Sequence, residues 1–149
     1  MSSLEEWIKS RQIEEVECLV PDMSGVARGK ILPSAKFLKG AAEDGLRLPE
    51  AVFVQSVTGD YMSISEVADP ANSDVWLRPD QSTIRRVPWY DEPTAQVICD
   101  AFYPNGKPVD IAPRDVLKRV VGLYEGKGWT PVVAPELEFY LVKINVDPD

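Results

Sequence analysis

The chain has 149 residues with 44% hydrophobic content, enough for one ordinary domain, or one small domain plus a piece of another, around a true core. Its formal charge of −8 argues against nucleic-acid partners, which need a basic face, and against an anionic membrane surface. With no histidine in the chain, it can build neither a Ser/His or Cys/His nucleophile pair nor a His-containing metal site.

No apolar run approaches the ~20 residues that span a bilayer. The start, MSSLEEWIKS, lacks the basic and apolar regions of a secretory signal. Cys18 and Cys99 each sit in an apolar, strand-like run and read as buried small hydrophobes of a reducing, cytoplasmic compartment. The 13 prolines favour short strands and turns over long helices.

In chain order, Ser3 and Glu6 form a capping box opening a short helix whose apolar face is Leu4, Trp7 and Ile8. Val16, Cys18 and Val20 alternate as a strand, Pro21 to Gly25 supplies a turn, and Val26 to Leu32 returns as the second arm of a hairpin. Ser34 is placed to cap a helix through Phe37, Leu38, Ala41 and Ala42, closed by Gly45. The β-branched and aromatic run Ala51 to Val57 predicts a strand, broken by Thr58-Gly59-Asp60 and followed by loop composition to Asp74. A loop of that length in a compact domain is usually functional or mobile.

Short strands are expected at Val75 to Leu77 and Thr83 to Val87, and a longer one at Thr94 to Phe102. The break Pro104-Asn105-Gly106-Lys107-Pro108 divides the chain into a first domain over 1–108 and the beginning of a second over 109–149. Pro113 at the first helical position, Asp115 in the first turn and apolar residues from Val116 to Tyr124 predict a helix ended by Gly126 and Gly128. Thr130 to Val142 (TPVVAPELEFYLV) then predicts a strand, and the chain stops soon after this α-to-β unit begins, which is expected of a longer protein's N-terminal segment. Small strands around one helix give an α+β class, a mixed sheet with a helix packed across it.

Three stretches invite a chemical reading. Glu136 and Glu138 share one face of the predicted strand. They read either as a solvated acidic edge or as two oxygen ligands of a hard divalent cation, Mg²⁺ or Mn²⁺, which two carboxylates alone do not hold tightly. Arg28 and Lys30 also share a face, and four basic residues with no acidic one run from Arg28 to Lys39. That reads as a solvated surface, or as an anion contact or an interface with an acidic surface. Trp76 and Trp89 lie among Arg78, Arg85 and Arg86, either stacked on them or as core tryptophans with arginines at the rim.

In sequence these motifs run Asp22-x-x-Gly25-x-x-Arg28-Gly29-Lys30 with Pro33, then Trp76-Leu77-Arg78-Pro79-Asp80-x-Ser82-Thr83 leading to Pro88-Trp89. Ala95 to Asp100, Pro113-Arg114 and Pro135-Glu136-Leu137-Glu138-Phe139-Tyr140 complete the series. The order and spacing resemble the glutamine synthetase superfamily from about Val16 to Leu141. The chain looks closer to the bacterial members that join glutamate to amines, such as γ-glutamylputrescine synthetase, than to the housekeeping enzyme.

The resemblance implies a β-grasp N-terminal domain ahead of a catalytic domain that uses ATP and Mg²⁺ or Mn²⁺. It further implies phosphorylation of the γ-carboxylate of glutamate and attack by ammonia or an amine on the γ-glutamyl phosphate, in a ring-shaped homo-oligomer. Glu136 and Glu138 fall on the family's metal-binding Glu-x-Glu strand. Thr58, Gly59 and Asp60 fall on the loop lent to the neighbouring subunit. Thr58 stands where the housekeeping enzymes have an Asp that helps bind ammonium, and Asp60 is displaced by two, which favours a larger amine. The segment alone is expected to be inactive. A non-catalytic β-grasp interaction module and a glutamine synthetase-like pseudoenzyme are the alternatives.

Overall fold

The computed structural model describes residues 3–43, 45–61 and 74–144. Helix α1 (Leu4–Ser10) opens with the expected capping box: the Ser3 hydroxyl accepts from the Glu6 N–H at 3.2 Å, and the Glu6 carboxylate accepts from the Ser3 N–H at 2.8 Å. The hairpin also forms. Strands β1 (Glu15–Pro21) and β2 (Ala27–Pro33) pair antiparallel from Glu15↔Pro33 to Pro21↔Ala27. Helix α2 (Ser34–Ala42) follows at once, with Pro33, not Ser34, at the N-cap position and no side-chain cap.

A two-residue strand, β3 (Arg47–Leu48), pairs with β4 (Val75–Pro79). Then come β5 (Arg85–Arg86), β6 (Thr94–Phe102) and α3 (Pro113–Glu125). The sheet order is β2-β1-β6-β4-β3, with β5 also on β6. Among the described strands only the β1–β6 pair is parallel, from Glu15↔Thr94 to Leu19↔Ile98. This is a mixed α+β architecture, with β6 taking β1, β5 and β4 along its nine residues.

Strand alternation divides the sheet into two faces. Val16, Cys18 and Val20 of β1 and Ala95, Val97, Cys99 and Ala101 of β6 are all buried. They form one core with Phe37 of α2, Ile8 of α1, Val75 and Leu77 of β4, and Phe53. Helix α2 touches β1, β2 and β4 and so lies across this face. Cys18 and Cys99 are free and buried as expected. The Cys99 thiol is pushed well above its usual range by the neighbouring Cys18 and by burial.

The opposite parity carries Glu17, Leu19, Gln96, Ile98 and Asp100, and α3 reaches this face through its first turns. Arg114 bridges Asp100, at 2.8 Å, and Asp80, while Lys118 reaches Asp100 at 2.5 Å. Beyond these anchors, Leu117, Val120, Leu123 and Tyr124 face solvent.

Three expectations are corrected. Ala51 to Val57 is not a strand, because Glu50–Val54 forms a 3₁₀ helix after Pro49. Ala51, Phe53 and Val54 are all buried, and a short apolar run satisfies either geometry. The buried Glu50 accepts from the Tyr103 hydroxyl at 2.6 Å, and burial and that bond push the Tyr103 phenol up to about 12. The strand expected over Thr83 to Val87 shrinks to Arg85–Arg86, because Gln81–Thr83 is a 3₁₀ turn capped by Asp80.

Thr130 to Val142 forms no strand. A strand exists only by laddering with another, and among the described residues none pairs with this stretch. Its Val132, Leu137, Tyr140 and Leu141 are exposed. The break at 104–108 is a tight turn: the Tyr103 N–H bonds the Lys107 carbonyl at 2.8 Å, and Gly106 takes a φ of 80°. Val109 and Ala112 then return to the same core. Of the loop expected after Thr58, residues 62–73 lie outside the described residues.

The hairpin depends on one glycine. A Cβ on Gly29 would stand 1.9 Å from the Cys18 carbonyl oxygen, a backbone atom of the facing strand. Gly29→Ala is expected to destabilise the protein by at least about 2 kcal/mol, measured by chemical denaturation. Gly25→Ala, strained only by its φ of 77° with open space around it, is expected to cost about 1 kcal/mol.

Candidate functional site

The β1–β2 turn is built on Asp22. Its carboxylate is fully buried and accepts from the Ser24 N–H at 2.9 Å and the Val26 N–H at 2.8 Å through Oδ1. Its other oxygen accepts from Arg28 Nε at 2.7 Å. The Arg28 guanidinium, 18% exposed, donates onward through Nη2 to the Ser56 carbonyl at 2.6 Å. Two further bonds tie the turn to the same segment: Ser24 Oγ donates to the Gln55 carbonyl at 2.9 Å, and the Met23 N–H to the Phe53 carbonyl at 3.0 Å. Asp22 and Arg28 thus clamp the loop at 56–60 onto the hairpin.

Inside that loop the three predicted residues come together. Thr58 Oγ1 donates to Asp60 Oδ2 at 2.7 Å, and Ser56 Oγ lies 2.8 Å from the Thr58 hydroxyl. The Asp60 N–H bonds Ser56 Oγ at 3.1 Å. With the Thr58 proton directed at Asp60, Ser56 is the donor to Thr58. Gly59 has a φ of 90°, which a β-carbon would strain, and its carbonyl accepts from Gln55 Nε2 at 3.1 Å. Thr58 and Asp60 are exposed. The loop is therefore a rigid presenter of one hydroxyl and one carboxylate.

Glu136 and Glu138 are not brought to this loop. They sit in the exposed, irregular stretch after α3, so the shared strand face expected of them is absent. Their oxygens suit a hard divalent cation in kind but not in number. Among the described residues no three of His, Cys, Asp or Glu gather as a metal site. The pair is not by itself a complete metal site.

The stacking of Trp76 and Trp89 on Arg78, Arg85 or Arg86 does not form. Arg47 lies over Trp76 at 5.9 Å and Arg78 over Phe102 at 4.4 Å, while Trp89 is 65% exposed and adjoins Tyr90. Arg85 instead donates to Gln96 Oε1. Gln96 in turn donates to the buried Glu17 at 2.8 Å, and Glu17 also accepts from the Tyr90 hydroxyl at 2.8 Å. This polar chain was not anticipated, because its members lie up to 79 residues apart. Period-2 alternation of Glu17 and Gln96 with apolar neighbours was the one available signal. Among the described residues no helix is long and apolar enough to cross a membrane.

Comparison with known proteins agrees with the motif order. The family model for the glutamine synthetase catalytic domain matches residues 110–149. Glutamate–isopropylamine ligase of a Pseudomonas species is 33% identical over 95% of this chain and 31% of its own length. Gamma-glutamylethanolamide synthetase GlnA4 of Streptomyces coelicolor is 31% identical over 91% of the chain and 30% of its own. Among solved structures, ligand-free GmaS superposes with a TM-score of 0.67 at 25% identity, covering 85% of this chain and 27% of GmaS. The chain belongs to the glutamine synthetase superfamily, and spans about a third of the length of the curated relatives it matches.

Arg28→Ala is expected to release the 56–60 loop while the sheet persists. Hydrogen exchange then shows the Gly59 and Asp60 amides losing at least about tenfold more protection than the β6 amides lose. Equal loss in both places refutes the clamp.

Proposed function

We propose that this chain is the N-terminal part of an ATP-dependent ligase that joins an amine, or ammonia, to the γ-carboxylate of glutamate through a γ-glutamyl phosphate. The observation that carries the reading is the 33% identity to a glutamate–isopropylamine ligase across 95% of the chain. The sheet with α2 across one face supports a β-grasp domain over 1–108, and the family model beginning at residue 110 supports the start of a catalytic domain over 109–149.

On this reading the Asp22–Arg28 clamp fixes the loop so that Thr58, Gly59 and Asp60 meet a neighbouring subunit's catalytic domain in a ring-shaped homo-oligomer. Such positioning is how a loop remote from the chemistry affects its rate. Thr58 in place of a carboxylate removes one negative charge from the acceptor site, and so favours a primary amine with an apolar body over ammonium. Glu136 and Glu138 supply two of the oxygen ligands of a Mg²⁺ or Mn²⁺ site completed by residues beyond the pair. When bound, such a cation neutralises phosphoryl oxygens and orients them for transfer.

The 149 residues alone are expected to bind Mn²⁺ no more tightly than about 1 mM, because two flexible carboxylates do not fix an octahedral cation. Calorimetry with a micromolar constant contradicts this.

The functional test is a phosphate-release assay with ATP, glutamate and, in turn, ammonia, isopropylamine and ethanolamine. It is run on this chain and on a chimera in which residues 1–149 replace the matching segment of glutamate–isopropylamine ligase. The isolated chain is expected to be silent and the chimera to turn over, with an amine preferred to ammonia by at least about tenfold. Turnover by the isolated chain, or an assembled chimera forming no γ-glutamyl product, overturns the reading.

A further inference from the structure

The basic run from Arg28 to Lys39 divides in the structure. Arg28 is consumed by Asp22 and Ser56. Lys30, Lys36 and Lys39 converge instead, with Arg47, on a cleft of about 500 Å³ between β2, α2 and β3. Lys36 and Lys39, three apart on α2, share a helix face. Lys30 is half-buried and points to the same side of β2 as Leu32. Among the described residues none of these three lysines makes a hydrogen bond or an ion pair.

Elsewhere five cations are paired. Lys9, Arg28, Arg114, Lys118 and Arg119 each meet a carboxylate. In a chain of formal charge −8, acids outnumber the cations that they could pair. Among the described residues that line the cleft there are four cations and two carboxylates, Glu43 and Asp74. Leu32 and Leu46 give the cleft an apolar wall, and Arg47 is held by its contact with Trp76. The cleft is of small-ligand size.

We propose that this cleft binds a small organic dianion of the phosphate-ester type. The three ammonium groups supply mobile point charges for the phosphate, the Arg47 guanidinium a planar donor, and the leucines a surface for the apolar body of the ligand. A dianion between Lys36 and Lys39 also relieves their mutual repulsion on one helix face. The cleft is lined by neither the 56–60 loop nor Glu136 and Glu138, so it stands or falls apart from the ligase reading.

The probe is inorganic pyrophosphate, titrated into the full 149-residue chain and followed by amide NMR shifts. Saturable shifts are expected at Lys39, Gly40 and Arg47 with Kd below about 1 mM at low ionic strength, weakening as salt is raised. Lys36→Glu with Lys39→Glu weakens binding at least about tenfold, whereas Lys127→Glu with Lys143→Glu, the same change in net charge, weakens it no more than about twofold. All four lysines are exposed, and thermal melts check that both variants fold; where one does not, the position of the wild-type shifts and their salt dependence decide. No saturation by about 10 mM, shifts centred on Arg28 and Ser56, or equal weakening by both variants overturns the proposal.

Discussion

Asp22 is a carboxylate with no exposed side-chain surface. An ion there is tolerated only because every oxygen is satisfied: two backbone N–H groups on one, an arginine on the other. A buried pair adds little net stability over an apolar pair of the same shape, yet removing one partner costs about 3–5 kcal/mol. Its contribution here is therefore specificity. It sets the turn that fixes the β1–β2 register, and through Arg28 it fixes where the 56–60 loop lies. Gly29 enforces the same register from the other side, because only a residue without a β-carbon lets β2 approach the Cys18 carbonyl.

From that hairpin the fold builds inward to β6. One face of β6 carries the small apolar residues that close on α2, and the other carries Gln96 and Asp100. Each polar group on that second face has a partner: Gln96 joins Glu17 to Arg85, and Asp100 anchors Arg114 and Lys118. No buried side-chain nitrogen or oxygen is left unpaired among the described residues. A sheet of this kind sends electrostatics to one side and packing to the other, and α3 is steered by the charged side. Its hold is ionic and confined to its first turns, which explains why its apolar stripe stays in water.

What the sequence revealed follows from which forces are local. The capping box at Ser3, the hairpin around Asp22 to Gly25, the β6 alternation and the Pro113 start are set by neighbours a few residues apart, and all were legible. Two of the misses share a cause. Glu50–Val54 and Thr130 to Val142 are β-branched, apolar runs whose state is decided by whether another strand lies alongside, and that is tertiary information. The arginine–tryptophan pairs failed similarly: Arg47 reaches Trp76 across the β3–β4 ladder, at a separation no local pattern encodes. Of the candidate site, the order of motifs carried the family and the loop at 58–60, but not the clamp that holds it. Nothing about Asp22 in the sequence distinguished a buried anchor from a turn residue.

Glu136 and Glu138 show how far a pattern can carry chemistry without a fold. Two carboxylates at i and i+2 act together only if the backbone between them is extended and held, since a free chain samples orientations in which they diverge. The ladder that would hold them is a property of the neighbouring strand, not of the glutamates. By contrast Thr58 and Asp60, also two apart, act as a unit because Ser56, Gln55 and Arg28 close around them. The same spacing is thus organised in one place and loose in the other. The difference lies in the residues supporting each pair, and it makes the loop the part of the proposed ligase site that this chain prepares on its own.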